Sequence, residues 1–311
     1  MDYFHVVFTL PEEIAQVAWQ NKAALYELLF RTSARTLQEI AADPKHLGAE
    51  IGFLSVLHTW GQNLQHHPHV HCVVPGGGIS ADGTRWVSSP KNFFLPVRVL
   101  SRVFRGKFLA ELRRMWRGGE LSFHGSLERY RDKGEFQRLL DRAYAVEWVV
   151  YAKPPFGGPE QVLKYLARYT HRVAISNSRL RSIGEDDVTF QWKDYAHGGK
   201  QRMMTLPAIE FLRRFLLHVL PSGFQRLRRY GFLANGHRQA KLELCRRLLQ
   251  RPSSAVESAA ATSTAATEAD ALEQAVCRRC PICGVARLRT YWEVPRPSLR
   301  QLLAGWPFDT S

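Results

Sequence analysis

The chain opens on "YFHVVFTL" (3–10), a run of β-branched and aromatic residues that stops at Pro11, and this pattern predicts a strand. From Glu12 to about Ala42 the apolar period lengthens. Ile14, Val17, Ala18, Leu25, Leu28, Leu29 and Ile40 fall near one side of a helix. "IGFLSVLHTW" (51–60) and "HVHCVVPG" (69–76) read as two strands joined by a short polar connection, which makes a hairpin. The Asp-Gly step in "ISADGTRWV" (79–87) predicts a second, peripheral hairpin. "PGGG" (75–78) lacks the Lys and the following helix of a phosphate loop and reads as a turn.

From about Leu95 to Arg142 the pattern is helical and basic, as in "VLSRVFRGKFLAELRRMW", and a strand signal returns at "VEWVVYAK" (146–153). Pro154, Pro155, Gly157 and Gly158 break it, and "PEQVLKYLARY" (159–169) starts a helix with Pro near its first turn. Strands are expected again over 172–193. Amphipathic helices follow at "AIEFLRRFLLHVL" (208–220) and "RQAKLELCRRLLQ" (238–250). The alternation of strands and helices predicts an α+β fold, an antiparallel sheet with covering helices. The expected organisation is a main domain over 1–200 with a helical insertion at about 95–142, then a basic helical extension over 201–250. A flexible linker over 251–276, containing the low-complexity "SSAVESAAATSTAATEADA", leads to a Cys-containing tail over 277–311.

With 311 residues, 45% of them hydrophobic, the chain is long enough for one large or two modest domains. Its formal charge of +15, spread through the helices and mostly Arg, points to a polyanionic partner, with nucleic acid favoured over a membrane surface. No apolar run reaches the roughly 18–20 residues of a spanning helix, and "MDYFHVVFTLPEE" lacks the features of a signal peptide, so a cytoplasmic location is expected. "FRGKFLAELRRMWRGG" and "GFQRLRRYGF" interleave Arg with aromatic residues, as single-strand binders do. Five cysteines, Cys72, Cys245, Cys277, Cys280 and Cys283, do not form a disulfide framework.

"HHPHVH" (66–71) concentrates candidate metal ligands. Residues two apart on a strand share a face, so His69 and His71 point one way while Val70 anchors the strand in the core. A turn centred near residues 64 and 65 places His58 close to His71, as a third ligand. Gln62 is the alternative, an oxygen donor suited to magnesium or manganese. His66 and His67, before Pro68, are expected in the loop, against solvent or phosphate. "KYLARY" sets Tyr165 and Tyr169 one helical turn apart, with Lys164, Arg168 and Arg172 near enough to favour a phenolate and to hold a phosphodiester. From the residues alone, an incidental histidine loop and two core-packing tyrosines stay open as readings.

Taken together, "YFHVVFTLP", "HTWGQNLQHHPHVHCVVPGGG", "YLARYTHRVAISNSRL" and "FLLHVLPSGFQRLRRYGFLA" resemble the rolling-circle insertion-sequence transposases of the two-tyrosine HUH class, from about Tyr3 to about Gln250. The resemblance implies a ferredoxin- or RRM-like nuclease core, with His69 and His71 as the metal pair and Tyr165 and Tyr169 as nucleophiles. It also implies magnesium or manganese as cofactor, single-stranded transposon ends as the DNA partner, no nucleotide cofactor, and cleavage through a 5′-phosphotyrosine. The zinc-binding domain that usually precedes this core is not in the sequence. In "CRRCPICG", Cys277, Cys280 and Cys283 form a possible but incomplete zinc knuckle, since no Cys or His follows to supply a fourth ligand. The alternatives are a catalytically silent DNA-binding remnant of a transposable element and a rolling-circle replication initiator. A relaxase is disfavoured because its tyrosine usually precedes the histidines.

Overall fold

The β-branched start of the chain forms β1 (Tyr3–Thr9), and Pro11 ends it and stands at the N-cap of α1 (Glu12–Gln20). Glu12 and Glu13 occupy the first helical turn, where they complement the helix dipole. The computed structural model describes residues 2–91, 94–156, 174–250, 277–279 and 287–289. The single helix expected over 12–42 is two, because α2 (Lys22–Ala42) starts anew after Asn21, whose φ of −123° leaves helical space. A tertiary anchor causes the break: the Asn21 amide donates to the carbonyls of Val17 (3.0 Å) and Ser122 (2.8 Å), and its oxygen accepts from Ser122 N–H (2.7 Å).

After β2 (Ala49–Glu50), the expected hairpin appears as β3 (Gly52–Trp60) and β4 (His66–Pro75). The second strand starts three residues earlier than its pattern indicates, so His66 and His67 lie in it and not in the loop. β5 (Gly77–Ser80) and β6 (Trp86–Ser88) form the peripheral hairpin and join β2 in a small sheet of order β2-β5-β6. The "PGGG" turn is corrected accordingly: Gly77 and Gly78 are strand residues. A Cβ on Gly78 would sit 2.4 Å from the Glu50 carbonyl oxygen, so these glycines serve close backbone approach.

Next come α3 (Val97–Arg117), α4 (Lys133–Ala145) and β7 (Val150–Phe156). The helical segment expected as an insertion is part of the main core: Phe104, Phe108 and Leu112 of α3 are fully buried. Phe104 meets Phe8 of β1 with ring centroids 5.0 Å apart and Trp148 at 5.2 Å, and Phe108 meets Trp148 at 5.3 Å. Asp132 caps α4 by accepting from Glu135 N–H at 2.9 Å.

A meander of β8 (Leu180–Ile183), β9 (Asp187–Asp194) and β10 (Lys200–Pro207) follows, then α5 (Ala208–Leu216). Phe190, Leu206 and Ala174 make a second small core with Leu64 from the β3–β4 turn. β11 (Leu227–Gly231) pairs with β3 and completes a five-stranded antiparallel sheet of order β11-β3-β4-β1-β7. α6 (Arg238–Gln250) has the expected bounds. The chain divides into two units at residues 251–252. In the second, β12 (Cys277–Arg279) pairs antiparallel with β13 (Arg287–Arg289). The expected linker, with Cys280 and Cys283, lies outside the described residues.

The main sheet is two-sided. Phe4, Val6, Phe8, Val70, Cys72 and Val74 alternate into the main core with residues of the helices, leaving the odd-numbered residues of β1 and β4 for the other face. Phe104→Ala removes the aromatic joining α3 to that core, and urea unfolding is expected to show a loss of about 3–5 kcal/mol.

Candidate metal centre

The face of the sheet turned away from the main core carries four imidazoles. His69 and His71 alternate with Val70 along β4, and Thr9 and Val7 of β1 pair with them. On the other side His58 of β3 stands directly opposite His69, and Val56 stands opposite His71. The expected neighbour of His58 is therefore corrected from His71 to His69, because the turn spans Gly61–Gln65 and closes with Gly61 N–H to the Gln65 carbonyl at 3.0 Å. A two-residue slip keeps a side chain on its face, so the three histidines still converge. One candidate ligand atom from each of His58, His69 and His71 lies within 4.8 Å of the others.

Neighbouring groups set the orientation of these rings. His69 Nδ1–H donates to the His67 carbonyl at 2.6 Å, which leaves the Nε2 lone pair as its ligand position. His5 of β1 reaches His71, Nε2 to Nδ1, at 2.7 Å. Trp60 stacks on His58 with centroids 4.7 Å apart and an interplanar angle of 16°, and the Arg226 guanidinium lies over that indole at 4.8 Å. Burial, then the nearby His67, pushes His69 down to about 3, so the imidazole is neutral at neutral pH and able to offer a lone pair. Burial likewise lowers Arg226 to about 10.

Around this face lies a cavity of about 1510 Å³, with the four histidines on one wall and, elsewhere on its lining, Arg179, Lys193 and Arg213 together with the carboxylates of Glu12, Glu13, Glu147 and Asp194. Gln62 lines it too, from the turn after β3, and its backbone carbonyl accepts from Arg179. His66, expected against solvent or phosphate, instead hydrogen-bonds Tyr26 Oη through Nε2 at 2.8 Å. His67 is exposed on the strand and also borders the cavity. Burial, with His218 and Lys22 nearby, pushes His66 down to about 3.

Tyr165, Tyr169, Lys164, Arg168 and Arg172 lie outside the described residues. Cys277 falls in β12, remote in sequence from these groups. Sequence reasoning missed His5. Its signal was present in the odd-position alternation of "YFHVVFT", but only the β1–β4 pairing brings it beside His71.

Chemically, imidazoles converging on one sheet face inside a cavity lined by both basic and acidic side chains offer a donor set able to seat a divalent cation. Residues 52–241 match a family model described as "Putative transposase", and the chain belongs to this transposase family. It is 56% identical over 288 residues to the "Putative transposase y4qJ" of Sinorhizobium fredii (strain NBRC 101917 / NGR234), covering 93% of this chain and 72% of the relative. It is 29% identical over 235 residues to the transposase for insertion sequence element IS801 of Pseudomonas savastanoi pv. phaseolicola, covering 74% of this chain and 54% of that protein. A structure of the conjugative relaxase TrwC with oriT DNA, in a metal-free state, aligns over 78% of this chain and 71% of its own at 13% identity. The TM-score is 0.29. No helix among the described residues is long and apolar enough to cross a membrane.

His66, His69 and His218 are held neutral by burial, at about 3, 3 and 4. In the unfolded chain they titrate near 6.5, so below that pH the unfolded state binds more protons than the folded one. Stability is therefore expected to fall as pH drops from about 6.5 toward 4, read as a falling thermal midpoint in chelator-treated protein. His218 donates to the Leu64 carbonyl at 3.0 Å and meets Thr59 Oγ1 at 3.2 Å. His218→Gln is expected to make the dependence shallower.

Proposed function

We propose that this transposase cuts and rejoins single-stranded DNA through a covalent tyrosine intermediate, at a centre where His58, His69 and His71 hold a divalent cation. The convergence of these three imidazoles on one sheet face carries the reading. The spread of up to 4.8 Å between these donor atoms is wider than three nitrogens about 2.1 Å from one ion would show, so the side chains would have to close on the ion by about an ångström or more to hold it. His58 is preferred over Gln62 as third ligand because strand pairing fixes its position opposite His69. Magnesium or manganese is the cation implied by the sequence resemblance, and imidazole donors favour manganese of the two. When bound, the cation supplies Lewis-acid stabilisation of charge on the phosphate oxygens.

Tyr165 and Tyr169 are the proposed nucleophiles. A phenolate oxygen attacks the phosphorus, a P–O bond to tyrosine forms, and the bond to the 3′ oxygen breaks. That oxygen takes up a proton to leave as a free 3′-hydroxyl, while the 5′-phosphotyrosine conserves the bond for rejoining. Lys164, Arg168 and Arg172 are assigned to hold the phosphodiester and favour the phenolate. Ala174, the first described residue after this segment, borders the histidine cavity, which supports bringing the tyrosines to it. Two nucleophiles allow two successive strand transfers, as rolling-circle movement of transposon ends requires.

His5 is a positioning residue in this scheme. A liganding His71 must be neutral with its lone pair on Nε2, so His71 Nδ1–H donates and His5 Nε2 accepts across the 2.7 Å contact.

Wild-type protein incubated with labelled single-stranded oligonucleotide and manganese is expected to give a denaturation-resistant adduct that chelator abolishes. The Tyr165→Phe, Tyr169→Phe double variant gives none. Absence of an adduct from wild type would favour the silent DNA-binding remnant. In a separate measurement, His5→Phe is expected to weaken manganese binding by about 10–100-fold in calorimetry, and His5→Gln, which keeps an acceptor, to restore most of it. Equal affinities for all three proteins would remove His5 from the account.

A further inference from the structure

A cationic groove lies between α2 and the edge strand β11, with a volume of about 470 Å³, and no residue of its lining borders the histidine cavity. Arg31, Arg35, Arg228 and Arg229 border it, against one carboxylate, Glu27. Two of the four are already committed. Arg228 pairs with Glu27 at 2.7 Å and lies over the rings of Phe30 (4.4 Å) and Phe224 (5.2 Å), while Arg31 reaches Glu111 at 3.3 Å. Arg35 and Arg229 are exposed and have no ion-pair partner among the described residues. The amides of Gln38, Gln225 and Asn235 add neutral donors and acceptors.

Such a surface is short of anions. Guanidinium forks beside amide donors match phosphate oxygens, and the stacked, paired Arg228 gives the groove a preorganised wall. Its position links it to the cavity. Leu227 of β11 pairs with Val56, and Val56 pairs with His71, so the edge strand is two interstrand steps, about 10 Å, from His71 and one from the strand that carries His58. We infer that the α2–β11 groove is a second phosphate-binding site, where Arg35 and Arg229 hold the sugar-phosphate backbone of DNA that runs beyond the histidine cavity. This rests on DNA being the partner, and it assigns a binding contact outside the reaction centre.

The test is fluorescence anisotropy of the full chain with a labelled oligothymidine of about 40 nucleotides, over a salt series and without added metal. Arg35→Ala, Arg229→Ala is compared with Lys45→Ala, Lys133→Ala, which removes the same charge from exposed lysines elsewhere. Loss of two phosphate contacts is expected to flatten the slope of log K against log salt by about 1.4 and to weaken binding on the order of tenfold near 0.1 M salt. The lysine control stays near wild type. With manganese added, the arginine variant is expected to form adduct at the wild-type rate once DNA is saturating. An arginine variant matching the lysine control in slope and affinity overturns the inference, as does an adduct rate at saturation that falls in step with binding. Because anisotropy reads binding whether or not an adduct forms, a failed nuclease reading and a failed groove give different results.

Discussion

The antiparallel register of three neighbouring strands is the constraint on which the rest depends. Pairing His58 with His69, and His69 and His71 with Thr9 and Val7, turns every imidazole of the cluster to one face while Val70 and Cys72 are buried on the other. A slip of one residue in β4 would exchange the two sets, placing imidazoles in the helix-covered core and apolar side chains in the cavity. The hydrophobic effect thus enforces the chemistry. Burial of Val70 and Cys72 in the helix-covered core fixes the register, and the register assembles the donors.

Precision beyond the register comes from groups that touch the ligands. The His67 carbonyl, the His5 ring, and the sequence of Arg226 over Trp60 over His58 each fix one imidazole. Behind the sheet, the Phe8, Phe104, Phe108 and Trp148 aromatics make the platform stiff. Leu64 in the turn sustains a φ of +62°, a conformation that costs a bulky residue on the order of 1–2 kcal/mol, and its burial against Phe190 and Leu206 holds it there. The hairpin tip bearing Gln62 is thereby tied to the second small core, and the formal charge of +15 surrounds this frame with attraction for a polyanion.

Much of this was legible in the chain because period and composition agree locally. β1, the β3–β4 hairpin and α6 follow from apolar alternation or helical spacing, and the His-Val-His step announces two donors on one face. What escaped depends on long-range partners. The break at Asn21 is made by Ser122, a hundred residues away. β11 reads "LRRYG", too basic for a strand by its own pattern, and is one because β3 offers an edge to pair with. β10, "KQRMMTLP", is polar for the same reason: it pairs with β9 while its side chains stay largely exposed. His5 looked like an ordinary strand residue until β1 met β4. The extended start of β4 at His66 follows from the buried Tyr26 hydroxyl, which rewards a polar partner that a loop would have turned to water.

The central claim, that this sheet face seats a cation through imidazole nitrogen, is tested most directly by pulsed electron paramagnetic resonance on the manganese-loaded protein. The account predicts nitrogen couplings from imidazole ligands that diminish when His58, His69 or His71 is replaced singly and vanish when all three are replaced. Manganese bound with no nitrogen coupling, or with couplings indifferent to these replacements, would contradict it.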